Sequence, residues 1–188
     1  YLIDPTLERN PKEYTKFINK KCEVYTGTKY VQMRKSFQKK NIFRQSFDQY
    51  KDLPILIYLG GTNNIEIIDK ICSIIISLKL KNKINLICND NEVNILKKLN
   101  STTKVNFFHS LSDLEMYNLI DKSSIAIGAS GSSCWERCIL GIPSIVIPIS
   151  NNQESIAFSL NKHNAAILIK LEDIESKLRD AIKEIMFN

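Results

Sequence analysis

The sequence predicts an α/β fold built on a doubly wound, Rossmann-like parallel sheet. From residue 54 onward, short runs rich in Ile, Val and Leu alternate with longer segments whose apolar residues recur every three to four positions. This alternation indicates parallel strands joined by crossover helices. Several of the loops that follow the apolar runs are rich in Gly, Ser, Asn and Thr. Because ligands bind at the carboxyl ends of such strands, these loops predict a crevice for a polar small molecule.

Six apolar runs are predicted to be strands, because each is short and bounded by polar or turn residues. The runs are continuous rather than alternating, so the strands are expected to be buried on both faces of the sheet. They span residues 54–59, 84–88, 105–108, 124–128, 144–148 and 165–169.

A helix is predicted after each strand, the first over residues 65–78 and the fifth from residue 151. Ser112 and Glu115 match a capping box, which marks the start of the third helix. The Gly-Ile-Pro sequence at residues 141–143 ends the fourth. The expected core-facing residues are Val93, Leu96 and Leu99 in the second helix, Leu114, Tyr117 and Ile120 in the third, and Ile174, Leu178, Ala181, Ile182 and Ile185 in the last.

The first 50 residues follow a different pattern. They hold a short predicted helix over residues 11–18, a predicted strand over residues 22–25 and a basic stretch over residues 34–44. We expect residues 1–50 to be the remnant of a preceding domain with its linker, and residues 51–188 to form the ligand-binding domain. A chain that begins with Tyr rather than Met is expected to be part of a longer protein.

Composition excludes several classes of protein. The 188 residues are 44% hydrophobic and 9% aromatic, which is typical of a soluble globular domain. The longest apolar run, residues 71–80, is shorter than the roughly 20 residues that span a bilayer, and no signal peptide is visible, so we expect a cytoplasmic protein without a membrane span. The net charge is +6, but the lysines are dispersed and no RNA-binding signature occurs. The charge therefore favours an anionic small molecule over nucleic acid.

The cysteines give no sign of a disulfide framework or a metal site. There are five, with no Cys-x-x-Cys pair, at positions 22, 72, 88, 134 and 138. Cys72 and Cys88 lie in apolar segments, which predicts buried reduced thiols. Cys134 and Cys138 are four residues apart, but zinc needs two further ligands, and neither histidine has a companion at metal-ligand spacing. No metal and no cofactor are expected.

The most informative segment is IAIGASGSSCWE at residues 125–136, where an apolar strand enters a Gly/Ser turn and then a helix. Gly128 and Gly131 carry no Cβ, so the chain can turn sharply and a ligand can approach the main chain. Ser132 or Ser133 can cap the helix. Its first N–H groups lack internal partners and its dipole is positive there, so this loop suits a phosphate.

Glu136, one turn into this helix, has two interpretations. A carboxylate at that place can accept hydrogen bonds from two neighbouring hydroxyls, as on a ribose. Alternatively, Ser133 and Glu136 form a capping box, in which Glu136 only accepts a hydrogen bond from the Ser133 N–H group. The spacing is compatible with both, and the surrounding polar loops favour the ligand interpretation.

Short motifs occur in a definite order along nearly the whole chain. They are LIDPT at residues 2–6, CEVYTGTKY at 22–30, Met33, Arg34 and Phe37, GGT at 60–62, SGSSCWE at 130–136, GIP at 141–143 and NQES at 152–155. In this order they resemble the PseG-type UDP-sugar hydrolases of pseudaminic acid (nonulosonate) biosynthesis, which are similar to spore-coat polysaccharide proteins and MurG-like glycosyltransferases. The resemblance implies a two-domain GT-B architecture, of which this chain is the nucleotide-binding, carboxyl-terminal half.

The family enzyme removes UDP from UDP-2,4-diacetamido-2,4,6-trideoxy-β-L-altropyranose by attack of water at the anomeric carbon, without a metal. For this chain the resemblance implies that Glu136 holds the ribose hydroxyls. It also implies that Ser132 and Ser133 hold the diphosphate and that Gly61 and Thr62 line its phosphate side.

The resemblance also assigns the sugar and the base. Asn152 and Gln153 would face the sugar, with Asn152 as the candidate catalytic residue, and backbone atoms near Phe108 and His109 would read the uracil. The family's amino-terminal domain carries a Gly-x-Gly-His turn whose histidine activates water, and this sequence has no such turn. The chain alone is therefore expected to bind UDP but to hydrolyse little, with an amino-terminal domain or a fused enzyme as its partner.

Three other functions stay open. The same nucleotide site would serve a glycosyltransferase that uses a sugar hydroxyl in place of water. It would also serve a non-catalytic module that binds sugar nucleotides. In the third case the chain is an ordinary doubly wound domain whose Gly/Ser loops are only turns.

Overall fold

The computed structural model describes residues 1–38, 44, 46–60, 64–99 and 104–187. In these residues the strands form two parallel sheets. A small sheet pairs β1 (Leu2–Asp4) with β2 (Val24–Thr26). The large sheet contains β3 (Ile55–Tyr58), β4 (Ile84–Ile87), β5 (Val105–Phe108), β6 (Ala126–Gly128), β7 (Ser144–Val146) and β8 (Ile167–Leu168).

The large sheet has the strand order β5-β4-β3-β6-β7-β8, and every neighbouring pair is parallel. The chain starts in the centre with β3, proceeds outward to β5, and then returns to β6 on the other side of β3. This is the doubly wound arrangement, so the predicted fold class is confirmed. The direction of winding reverses between β3 and β6, and in such sheets the ligand crevice opens at that point, outside the carboxyl ends of the strands.

Helices cover both faces of this sheet. They are α1 (Ile65–Ser77), α2 (Asp90–Leu99), α3 (Asp113–Asp121), α4 (Ser133–Ile139), α5 (Asn151–Lys162) and α6 (Ile174–Phe187). Buried residues of α1, α2 and α6 pack with Ile55 and Ile57 on one face, whereas α3 packs with Leu56 on the other. The alternating residues of β3 therefore face two different cores, which explains why its sequence is continuously apolar. Each such fully buried side chain contributes about 1.5–3 kcal/mol to folding.

Two local predictions were wrong. Leu114 was expected in the core, but it is 62% exposed, because the buried face of α3 runs through Met116, Tyr117 and Ile120. Leu114 lies about 110° around the helix from the centre of that face. The helix predicted over residues 11–18 is only a 3-10 turn at Pro11–Tyr14; none of its residues is buried, so no packing extends it.

The first segment of the chain, residues 1–38, packs against the large sheet's helices. Met33 packs with the buried residues of both α3 and α4, and Phe37 is buried against the ring of Tyr117, with centroids 5.3 Å apart. Glu8 forms an ion pair with Lys162 at the end of α5. The division of the chain at residue 50 stays a prediction.

Two further expectations concern the cysteines and the membrane. Cys72 and Cys88 are buried and reduced, as predicted, and none of the five cysteines forms a disulfide. Burial raises the pKa of Cys72 to about 12. Among the helices that the structure describes, none is long and apolar enough to cross a bilayer.

Candidate functional site

The loops that follow β6 and β7 meet at the carboxyl edge of the sheet. The Ser130 hydroxyl donates a hydrogen bond to the Gln153 carbonyl oxygen at 3.0 Å. A Cβ atom placed on Gly131 would lie 3.8 Å from the side-chain nitrogen Nε2 of Gln153. The structure therefore brings the predicted diphosphate residues Ser132 and Ser133 next to the start of α5, where the predicted sugar residues Asn152 and Gln153 lie.

The first turns of α4 and α5 have no side-chain caps. Ser132 is the N-cap residue of α4 and Ser150 that of α5, and neither makes a capping hydrogen bond. Ser150 instead donates to the Asn152 side-chain oxygen at 2.6 Å. The N–H groups of Cys134, Trp135 and Gln153 donate to backbone oxygens of the preceding turns. Those of Ser133, Asn151 and Asn152 have no partner among the described residues, so they can donate hydrogen bonds to a ligand. The capping-box interpretation of Ser133 does not hold, since Ser133 is the first helical residue and not the N-cap.

Glu136 is a buried carboxylate with one unpartnered oxygen. The residue is 5% exposed, and its Oε1 atom lies 3.2 Å from Nε of Arg34. Its Oε2 atom is buried and has no hydrogen-bond partner among the described residues. Burial raises the pKa of Glu136, while the charges of Arg34 and Arg137 act to lower it. A buried carboxylate oxygen without a donor destabilises the folded protein, because it has given up its hydrogen bonds to water. A ligand that donates a hydrogen bond to it would offset this cost.

Arg137 supports the loop after β6 from the inside of the protein. Its side chain is 2% exposed, and its Nη2 atom donates to the Ala129 carbonyl oxygen at 2.7 Å. The guanidinium lies against Gly128, where a Cβ atom would be 2.6 Å from Nη1 and 2.5 Å from the Tyr58 carbonyl oxygen. The burial of this side chain lowers the pKa of Arg137. The sequence analysis missed it, because an arginine in a short helix usually lies on the surface.

Gly61 and Thr62, predicted to line the phosphate side, lie outside the described residues. Asn64, the first described residue after them, contacts Glu92, which is 2% exposed. One carboxylate oxygen of Glu92 accepts from the Asn64 N–H group at 3.2 Å, and the other from the Asn89 N–H group at 2.9 Å. The second contact completes a capping box with Asn89. That Asn-x-x-Glu spacing was the available signal for Glu92.

Phe108 and His109, predicted to read the base, also lie at the carboxyl ends of the strands, but they belong to β5, the outermost strand of the sheet. β5 is three strands away from β6, which is about 14 Å. The His109 ring pairs with the Asp90 carboxylate. The loop then enters α3, where Asp113 lies 3.7 Å from Arg34. Arg34 thus lies between Asp113, at the start of α3, and Glu136.

Neither histidine lies beside Asn152. His163 is the C-cap of α5, the opposite end of that helix from Asn152, which is about 16 Å for eleven residues. It contacts Glu8 at 3.3 Å. His109 lies at the end of β5, near the far edge of the sheet. The described part of the chain therefore places no imidazole where the candidate catalytic residue is.

A cavity of about 290 Å³ adjoins Ser132. It lies between the first segment and the starts of α4 and α5, and its wall includes Tyr30, Trp135 and Ile156. The wall is largely apolar, so it suits the less polar face or substituents of a sugar better than a charged group.

Sequence comparison matches residues 55–188 to the glycosyltransferase family 28 C-terminal domain. No curated protein matches the sequence at a significant level.

Three solved structures illustrate the likeness of fold. The glycotransferase of kitacinnamycin is 18% identical with a TM-score of 0.62, and the alignment covers 84% of this chain and 39% of that protein. The UDP-GlcNAc 2-epimerase of Methanocaldococcus jannaschii, solved with UDP-GlcNAc and UDP, is 21% identical with a TM-score of 0.57, covering 76% and 41%. MurG of Acinetobacter baumannii is 14% identical with a TM-score of 0.57, covering 81% and 46%. The chain thus spans less than half the length of each.

Proposed function

The chain belongs to the glycosyltransferase family 28 C-terminal domain family, and from that membership we propose that it binds the UDP part of a UDP-sugar at the carboxyl edge of its large sheet. Its fold is that of the carboxyl-terminal half of a GT-B protein.

The observation that carries the proposal is the state of Glu136. A carboxylate that is almost fully buried, with an oxygen that has no hydrogen-bond partner among the described residues, destabilises the fold on its own. A ribose offers two adjacent hydroxyl donors, and a carboxylate accepts such a pair well. The two hydroxyls would satisfy Oε2 and share Oε1 with Arg34.

The diphosphate would then lie toward α5. The uncapped N–H groups at the start of α5 and the hydroxyls of Ser132 and Ser133 provide fixed donors without a metal. When UDP leaves, negative charge develops on its β-phosphate, and donors that are already in place stabilise that charge without reorganising. The excess positive charge of the chain adds a weak attraction for the same anion.

For the reaction, the resemblance favours hydrolysis of a UDP-sugar in pseudaminic acid or surface polysaccharide biosynthesis. A water oxygen would bond to the anomeric carbon as the bond from that carbon to the UDP oxygen breaks, which releases the free sugar and UDP. Asn152 and Gln153 would orient the sugar, with its less polar face in the cavity beside Ser132. Activation of the water needs a base, and no histidine of this chain lies near Asn152, so the proposal assigns that step to a partner domain.

The second candidate is a glycosyltransferase, which the family membership supports equally well. The nucleotide contacts would be the same, and an acceptor hydroxyl would replace water. Release of UDP and free sugar from a UDP-sugar without any acceptor would favour the hydrolase, and release only with an acceptor would favour the transferase. Tight UDP binding with no turnover under either condition would leave a non-catalytic binding module.

Calorimetric titration of this chain with UDP tests the nucleotide site. We expect Glu136→Ala to weaken UDP binding about 10- to 100-fold, the range for losing hydrogen bonds to a charged group. Glu184→Ala, which removes an exposed carboxylate on α6, is the matched control and should bind like the unmodified chain. CMP, ADP and 2′-deoxy-UDP test the base and the diol. Equal binding of UDP by both variants, or no preference for UDP over 2′-deoxy-UDP, would overturn the ribose assignment.

A further inference from the structure

Arg34 is fixed in place although it belongs to the first segment of the chain. The residue before it, Met33, packs against the buried clusters of α3 and α4. The 3-10 turn that follows it, Lys35–Phe37, ends in the buried ring of Phe37. The backbone at Arg34 is therefore held on both sides by apolar packing, and its side chain has a short, defined path to Glu136.

The contact between Arg34 and Glu136 uses one oxygen only. Nε of Arg34 lies 3.2 Å from Oε1, while Oε2 has no partner among the described residues. The Arg34 side chain is 34% exposed and that of Glu136 is 7% exposed, so the guanidinium lies on the solvent side of the carboxylate. An arginine at this place limits the rotation of the carboxylate, while the second oxygen is buried without a hydrogen-bond donor.

Three charged groups act on Glu136. They are Arg34 from the first segment, Asp113 from the start of α3 and Arg137 from its own helix. Arg137 is directed to the Ala129 carbonyl oxygen instead, and no ion pair joins it to Glu136 within the described part of the chain. Asp113 lies 3.7 Å from Arg34 and acts to raise the pKa of Glu136, as burial does. Arg34 is thus the cation in contact with this carboxylate.

We propose that Arg34 is a positioning residue of the ribose subsite, which holds Glu136 through Oε1 so that Oε2 can accept the ribose diol. This inference rests on the proposed function and extends it, because it makes the nucleotide site depend on a residue outside residues 51–188. Without Arg34, the carboxylate would turn more freely and would take up a proton at a higher pH, and a protonated Glu136 accepts hydrogen bonds poorly.

Uridine is the diagnostic probe, because it carries the diol but no phosphate. We expect Arg34→Gln to weaken the binding of uridine and of UDP by the same factor, about tenfold at pH 7. From pH 5 to 8, followed by NMR titration, the loss of uridine binding on the acid side should move to higher pH in Arg34→Gln. Arg34→Lys, which keeps the charge, should retain most of the original pH profile while binding more weakly. Lys35→Gln, at the exposed neighbouring residue, should change neither affinity nor profile.

The outcomes separate the possible roles. If Arg34→Gln weakened UDP but not uridine, Arg34 would contact the phosphates and the positioning role would be overturned. An unchanged pH profile for uridine would overturn it as well. Should Glu136→Ala bind UDP normally, the ribose assignment itself would fail. If instead Glu136→Ala lost binding and Arg34→Gln did not, only the present inference would fail.

Discussion

At the scale of single residues, Gly128 and Arg137 form a matched pair that shapes the loop of the candidate site. Gly128 ends β6, and its missing side chain leaves room for the guanidinium of Arg137 and for the Tyr58 carbonyl oxygen. Arg137 in turn holds the Ala129 carbonyl oxygen. Gly128 was predicted to let a ligand approach the main chain, but in the structure the space of its missing side chain is bounded by the Tyr58 carbonyl oxygen and the Arg137 guanidinium.

Replacing Gly128 tests this packing. Gly128→Ala would bring a methyl group within 2.6 Å of the Arg137 side chain and 2.5 Å of a backbone oxygen. Overpacking of this kind costs about 1–3 kcal/mol. We therefore expect the free energy of unfolding to fall by that amount, which lowers the urea midpoint. Gly131→Ala is the control, because its nearest neighbour would be 3.8 Å away, and it should change stability by less than about 0.5 kcal/mol. Equal urea midpoints for the two variants would refute the close packing.

At the scale of secondary structure elements, α2 contributes more to the candidate site than its sequence suggested. Val93 and Leu96 of its predicted apolar face are buried, and the side chain of Leu99 lies outside the described residues. Its first turn also holds two loops together, because Glu92 accepts from the Asn89 N–H group after β4 and from the Asn64 N–H group before α1. Asn64 follows Gly61 and Thr62 in the sequence, so α2 holds the first described residue after the pair predicted to line the phosphate side.

The substitution Glu92→Gln removes this anchor with little change in size. An amide has one acceptor oxygen in place of two, so one half-buried backbone N–H group loses this acceptor, at a cost of about 1 kcal/mol. We expect a lower urea midpoint and weaker UDP binding by calorimetry. Glu115→Gln alters a capping box of the same type at an exposed site on α3, and its effect should be smaller in both measurements. A Glu92→Gln variant that matched Glu115→Gln would mean that the anchor has no energetic role.

The elements themselves were largely predictable. Continuous apolar runs such as Ile55–Tyr58 fit a sheet that is covered on both faces, and the six strands of the large sheet lie within the predicted ranges. In the small sheet, β1 was not predicted and β2 ends one residue beyond the predicted range of 22–25. The side-chain contacts of the site were not predictable. Arg34 with Glu136 and Glu92 with Asn64 join residues far apart in the sequence, and such pairs leave no periodic pattern. Only the fold brings them together.

At the scale of the whole molecule, the first segment is attached to the large sheet by packing and by charge. Lys162 donates to both carboxylate oxygens of Glu8, at 3.1 and 3.0 Å, and His163 lies 3.3 Å away. The hydrogen bond from Lys162 holds the pKa of Glu8 below its ordinary value of 4.5. A depressed carboxyl pKa stabilises the attachment above pH 4.5 and loses this effect as the pH falls through the lower, folded-state value.

Hydrogen exchange can measure the attachment. We expect amide protection in residues 1–38 to fall in Glu8→Gln at pH 7, and in the unmodified chain only as the pH falls below the ordinary pKa of 4.5, once intrinsic exchange rates are corrected for. Glu13→Gln is the control, because Glu13 pairs with Arg9 inside the same segment. Protection near residues 174–187 should not change. The attachment by Glu8 would be disproved if Glu8→Gln and Glu13→Gln gave the same exchange pattern.

The reversal of winding between β3 and β6 also has a consequence for folding. β3 meets β6 only after some 70 intervening residues, as the pairing of Leu56 with Ala126 requires. Closing such a long loop is slow, so the pairing of β3 with β6 is expected to form later than the local helices. The candidate site lies next to this strand pair, in the loop that follows β6, so a partly folded chain or a truncated translation product would lack it. A nucleotide that binds there would select fully folded molecules from a mixed population.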